Sequence, residues 1–164
     1  YLCFEQVKKV TMRHFIFVLI LSFTVTVFSQ TSPAERIKHF NLEKKVVLKG
    51  YDPVAYFTVG KAVKGSPKIQ TQHEGVTYYF TSKEHLQMFE AQPSKYEPQY
   101  GGWCAFAMGD YGKKVEINPE TFKLVNGKLY LFYNAYFNNT LKSWNEDEKN
   151  LKTKADKNWA LLIQ

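Results

Sequence analysis

The sequence is poor in cysteine. Its 164 residues hold two, Cys3 and Cys104, and no C-x-x-C pair. With Cys3 in an N-terminal leader, Cys104 has no partner for an intramolecular disulfide. Long apolar runs are scarce as well. Phe15–Phe28 consists of apolar residues, Ser and Thr, but at 14 residues it falls short of the roughly 20 that a helix needs to cross a bilayer. Basic residues outnumber acidic ones, 22 to 15, yet the lysines are scattered (EKK, GKK, LKTKADK) with no run of five. That charge reads as a solvated surface and gives no reason to expect a nucleic-acid partner. There is no G-x-S-x-G, no H-E-x-x-H and no phosphate-cradling glycine loop, so the common hydrolase and nucleotide signatures are missing. The acidic residues of NEDEKN (Asn145–Asn150) read as a helix start and a solvated face, and Asp52 and Asp110 as turn and cap residues.

What is present begins with the leader. Met12-Arg13-His14 precedes the apolar run, and Val27 and Ser29 sit at the minus-three and minus-one positions of a cut before Gln30. This is the layout of a secretory signal. The expectation is a chain of upstream residues plus signal peptide over 1–29, with Met12–Ser29 as the signal, and export to the periplasm or the extracellular space after cleavage near Ser29–Gln30. An uncleaved anchor is the alternative. The product, with no stable membrane span, has its charge reduced from +7 to +5 by loss of Lys8, Lys9, Arg13 and Glu5. Aromatic residues make up 16% of the chain, enough to fill a real core in a domain of this size.

Along the remainder, Ser32-Pro33 caps and opens a lead-in helix within residues 30–45. The domain proper then runs over 46–164. KKVVLKG reads as a strand, and GYDPVAYF as a turn into one helical turn with Asp52 as cap. IQTQHEGVTYYF is a hairpin about Glu74-Gly75. Thr81 to Glu84 fits a capping box, with Ser82 an equal candidate. KEHLQMFEA follows as a helix carrying His85, Leu86 and Phe89 on one face, and Pro93 stops it. CAFAM alternates, which places Cys104, Phe106 and Met108 on one face of a strand. KLVNGKLYLFY is a hairpin with a type I′ turn at Asn126-Gly127. From Asn134 the chain reads as helix, with Leu151, Ala155, Trp159 and Leu162 as its apolar stripe. The class is α+β: a single compact domain with a small antiparallel sheet, built from hairpins and packed against short helices.

The segments GYDPVAYF, GVTYYFTSKEHLQMFEAQPSKY, YEPQYGGWCAFAM and GKLYLF with a trailing ADKNW resemble, in order and spacing, the extended stand-alone YHS-domain proteins exported by bacteria. The resemblance covers about Val46 to Trp159. It implies a compact α+β fold and, since the shorter members accompany heavy-metal proteins, an association with metal. The short metal-linked domains carry cysteines in a DPVCGM…YYFCSxxCxxxF pattern. In this chain Ala55, Thr81 and His85 stand at those positions, so the cysteine site does not carry over, and His85 alone keeps ligand character.

The candidate chemistry therefore centres on Cys104. Its thiol is either a buried small hydrophobe, a metal ligand or a reactive nucleophile. Cys104, His85, Met88 and Met108 together form a donor set suited to Cu(I), because thiolate and thioether are soft. Tyr51, Asp52, Tyr56, Tyr78, Tyr100, Gly101, Gly102 and Trp103 are the motif residues that fill the core or line a small pocket. The expected function is a non-enzymatic binding module, monomeric and with no protein partner identified, leaning toward a soft copper-type ion. The alternatives are a thiol-dependent redox protein or enzyme using Cys104 with His85 as base, and a structural or small-ligand-binding domain with Cys104 buried.

Overall fold

Ser32 accepts the Glu35 N–H at 3.2 Å and starts helix α1 (Pro33–His39). The computed structural model describes residues 32–164, and these fall within one unit. The expected signal peptide and its cut before Gln30 fall outside the described residues. After α1 come strands β1 (Leu42–Glu43) and β2 (Val46–Val47), joined through Lys44 and Lys45, both at positive φ. The strand expected over KKVVLKG is thus only two residues long. Leu48, Lys49 and Gly50, all at positive φ, turn the chain away. Helix α2 (Ala55–Thr58) is the single helical turn expected from GYDPVAYF.

Strands β3 (Ser66–His73) and β4 (Val76–Phe80) form the hairpin about Glu74-Gly75. On β4, Val76, Tyr78 and Phe80 are buried while Thr77 and Tyr79 are half-exposed, the period of two that a one-sided sheet requires. The sheet order is β1-β2-β4-β3. Its β2–β4 step is parallel, with Val46 opposite Thr77, so the sheet is mixed where an antiparallel one was expected. Ser82 caps α3 (Lys83–Ala91) by accepting the His85 N–H at 3.1 Å. Pro93 ends that helix and opens α4 (Pro93–Tyr96), and a 3-10 turn follows at Gln99–Gly102.

Two expectations fail in the second half. Cys104–Met108 is not a strand: Cys104 is the N-cap of helix α5 (Ala105–Asp110). Small and large residues alternate there, but over five positions that pattern fits a buried short helix equally well. Tertiary packing chooses the helix. Gly109 lies so close to Leu151 that a Cβ on it would stand 2.5 Å from the Leu151 carbonyl oxygen. The region from Asn134 does not begin as helix either. After the Asn126-Gly127 hairpin of β5 (Asn118–Val125) and β6 (Lys128–Phe132), a second small hairpin forms from β7 (Asn134–Ala135) and β8 (Asn138–Asn139). Only then do α6 (Thr140–Glu146) and α7 (Glu148–Leu162) follow. The Asn139 side chain caps α6 by accepting the Leu141 N–H at 3.1 Å.

The core has two clusters. One joins the four-stranded sheet, α3 and Cys104, with Tyr78, Phe80, Phe89 and Leu131 at its centre. The other surrounds Trp144 and includes Tyr100, Ala105, Met108, Tyr130 and Phe132. Each large apolar side chain fully buried here contributes about 1.5–3 kcal/mol.

Candidate functional site

Asp52 is completely buried, and a buried carboxylate is tolerable only when its lone pairs are occupied. Here they are. Oδ1 accepts the N–H groups of Val54 at 2.8 Å and Ala55 at 3.3 Å. Oδ2 accepts the Thr81 N–H at 2.8 Å, the Thr81 hydroxyl at 2.7 Å and the His85 Nδ1–H at 2.7 Å. The first two bonds follow from sequence: Asp followed by Pro starts a turn, and the Asp52 side chain closes it two and three residues on, while Val54 is the N-cap of α2. The other three come from β4's end and α3's first turn. They reach Asp52 because its own N–H is fixed to the Val63 carbonyl at 2.8 Å.

The three positions at which the YHS resemblance implies cysteine, Ala55, Thr81 and His85, thus all converge on this one carboxylate. Ala55 does so through its backbone N–H alone and leaves a methyl where the resemblance implies a thiolate, while Thr81 and His85 bring side-chain donors, so a cysteine-type soft-metal cluster does not fit here. The His85 side chain is 15% exposed. With Nδ1 committed to Asp52, Nε2 is the nitrogen left over, 3.3 Å from the Thr58 hydroxyl oxygen. The Thr58 hydroxyl is also 3.1 Å from the Val54 carbonyl, so its single proton serves either that carbonyl or Nε2. A carboxylate behind an imidazole fixes the ring's orientation and tautomer, the arrangement seen behind metal-coordinating and proton-transferring histidines.

Cys104 belongs elsewhere. It is fully buried, and its Sγ accepts the Tyr133 N–H at 3.3 Å. Thr140 Oγ1 lies 3.4 Å from the same sulfur. Since the Thr140 hydroxyl gives its single proton to the Tyr133 carbonyl at 3.0 Å, the thiol donates to Thr140. Both roles of the sulfur are therefore structural, tying α5's start to β6's end and to α6. Met108 packs in the Trp144 cluster, and Met88 lies half-buried against the other. The donor set Cys104, His85, Met88 and Met108 is thus spread over two clusters, with the thiol and the imidazole each engaged by different partners. Among the described residues no group of three or more His, Cys, Asp or Glu is arranged to hold a metal ion.

The motif aromatics are structural too. Tyr56 donates to the Pro119 carbonyl at 3.0 Å, Tyr100 to Asp156 at 2.9 Å, and Tyr78 to Glu97, which also binds Arg36. Burial pushes all three phenols above their usual range, helped by Asp156 at Tyr100 and by Glu97 at Tyr78. Tyr51 carries the Lys64 ammonium 4.8 Å above its ring. Gly101-Gly102-Trp103 forms a seam. Gly101, at φ +60°, leaves space that a Cβ would fill 3.0 Å from the Trp159 ring and 3.1 Å from the His39 carbonyl. Trp103 Nε1 donates to that His39 carbonyl at 2.7 Å, and the Gly101 carbonyl accepts the Asn41 N–H at 2.8 Å. This seam docks the lead-in helix onto the domain. A cavity of about 240 Å³ opens instead beside Lys44, Lys49, Gly50, Lys64 and Tyr79; none of the expected motif residues lines it.

Sequence reasoning found His85 and Asp52 separately but missed Thr58 and the role of Thr81. The signal was there in the tied capping candidates. Ser82 takes the cap, which frees the Thr81 hydroxyl for Asp52.

No family model matches this chain, and no curated protein or solved structure matches it either.

Proposed function

We propose that the chain is an exported, non-enzymatic binding module of the YHS type, in which an Asp52–His85 pair takes the place of a thiolate site. The observation that carries this reading is the convergence of the Thr81 hydroxyl and the His85 ring on the Asp52 carboxylate. Such a site offers one imidazole nitrogen, Nε2, beside the Thr58 hydroxyl. It accepts a hydrogen bond, or it coordinates a single labile copper-type ion. Met88, one helical turn along α3, packs against the core, so the imidazole is the one donor this reading relies on. Cys104 takes no part, because both of its hydrogen-bonding roles are used in the core. That also weighs against a thiol-dependent enzyme, which requires an accessible, activated sulfur.

The test is a competition titration of Cu(I) against a chelator, on wild type, His85→Gln and Cys104→Ser. Binding that Cys104→Ser leaves unchanged and His85→Gln weakens at least tenfold is the expected result. Tight binding abolished by Cys104→Ser would return the thiol to the site. Binding absent from all three would leave the imidazole to hydrogen-bonding ligands and remove the metal.

A further inference from the structure

Asp52, His85 and Thr58 form a chain of contacts. The buried carboxylate lies 2.7 Å from His85 Nδ1, and the other ring nitrogen, Nε2, lies 3.3 Å from Thr58 Oγ1. A hydroxyl becomes nucleophilic when a base stands within hydrogen-bond reach and a third group orients that base. Three separate elements bring the groups together. Asp52 sits in the turn before α2, Thr58 ends α2, and His85 lies in the first turn of α3.

The tautomer follows from the geometry. A carboxylate oxygen at 2.7 Å requires the proton on Nδ1, so Nε2 of the neutral ring presents a lone pair to Thr58. The Thr81 hydroxyl, 2.7 Å from the same carboxylate oxygen, steadies Asp52 behind the ring. The Val54 carbonyl, 3.1 Å from Thr58 Oγ1, competes for the threonine proton. An imidazole nitrogen is a far stronger base than an amide carbonyl, and it alone of the two can carry the proton away.

The hydroxyl is also reachable. Thr58, Val59 and Gly60 are all exposed. The Gly60 N–H makes no hydrogen bond among the described residues, and a Cβ on Gly60 would meet nothing within 4 Å. The chain beside Thr58 thus leaves room for an incoming group.

We propose that Thr58 is a self-acylation site, whose hydroxyl takes the acyl group of an activated ester or thioester with His85 as general base. This rests on the Asp52–His85 reading above and names the substrate class of that site. Thr58 Oγ bonds to the acyl carbon while its proton passes to His85 Nε2. The bond from that carbon to the leaving oxygen or sulfur breaks, and the leaving group takes up the proton from Nε2. The product is an ester on Thr58, and the step needs no oxidant or reductant. Because the threonine is consumed, it modifies a binding module and is not turnover.

The experiment incubates the full chain with p-nitrophenyl acetate in EDTA and maps the acetyl group by peptide mass spectrometry. A parallel arm uses the acetyl thioester of N-acetylcysteamine. Wild type, Thr58→Ser, Thr58→Val and His85→Gln are compared, and thermal unfolding verifies that each is folded. Acetylation of position 58 is expected in wild type and in Thr58→Ser, with loss in Thr58→Val and at least a tenfold slower rate in His85→Gln. Reaction with either donor supports the proposal, and the faster one identifies the source. Acetyl groups confined to lysines in both arms, or a His85→Gln rate at position 58 equal to wild type, would overturn it. His85-dependent copper binding without acetylation of Thr58 would overturn this inference alone and leave the binding reading standing.

Discussion

His85 Nδ1 lies 2.7 Å from the Oδ2 of Asp52, a carboxylate with no solvent exposure at all. This pair joins the turn before α2, the end of β4 and the first turn of α3. It is at once a structural knot and the device that orients the imidazole.

Removing the carboxylate leaves buried donors without a partner, which costs more than the bonds themselves contribute. Asp52→Ala is expected to lower stability by about 3–5 kcal/mol, the cost of orphaning a buried network. His85→Gln keeps a donor near Oδ2 and should cost about 1 kcal/mol. Urea denaturation of the two variants measures the difference. Equal small losses would show that Asp52 is not the hub described here.

Cys104 behaves as a core residue. In the folded protein it is expected to resist a thiol reagent such as Ellman's, reacting only at the rate of global unfolding. Cys104→Ala removes the acceptor of the Tyr133 N–H and some buried volume. It should cost about 1–3 kcal/mol. Rapid labelling of the native protein would contradict this placement.

The close approach of α5 to α7 has a single-residue test. Gly109→Ala sets a Cβ 2.5 Å from the Leu151 carbonyl oxygen, so the helices must separate. A loss of about 1–3 kcal/mol is expected from such overpacking, read as a lower melting temperature. Elsewhere in an exposed helix interior, Gly→Ala stabilises, so the sign of the change decides.

Alkaline stability follows from the buried phenols. Tyr56, Tyr78 and Tyr100 are raised above the ordinary value of 10.0, in each case chiefly by burial. A group raised in the folded state contributes its full stabilisation below the unfolded value and loses it as pH climbs toward the folded one. Stability is therefore expected to be independent of these phenols up to about pH 9 and to fall steeply beyond about pH 10. Tyrosinate absorbance near 295 nm should show one fraction titrating normally and a second appearing only with unfolding. Normal titration of every tyrosine in the folded protein would contradict the burial.

The parts of the fold that local chemistry dictates were legible. Asn126-Gly127 and Glu74-Gly75 announce their hairpins because few other residue pairs accept positive φ. Ser32-Pro33 announces α1, and Asp52-Pro53 announces a turn. The rest depended on packing at long range. CAFAM is helix because Gly109 admits Leu151, a partner more than forty positions away. Tyr136-Phe137 carries no turn residue, so its hairpin was hidden inside an expected helix. For the site, the residue types were visible but their grouping was not. Cys104 drew attention as the lone thiol, yet the Tyr133 N–H and the Thr140 hydroxyl that enclose it lie 29 and 36 positions along the chain, and their meeting with the sulfur depends on the β7–β8 hairpin that the sequence did not reveal. Asp52 read as a cap, but Val54 holds that position and two of the five Asp52 bonds close the turn before it. The other three arrive from 29 to 33 positions along the chain.

The most direct test of the central claim is a long-range proton–nitrogen correlation spectrum of the His85 ring, with and without Cu(I). The expected spectrum has the proton on Nδ1, held toward Asp52, and a free Nε2 that alone shifts as copper is added. A ring protonated on Nε2 instead, or a copper response at Cys104 with His85 unmoved, would contradict the account.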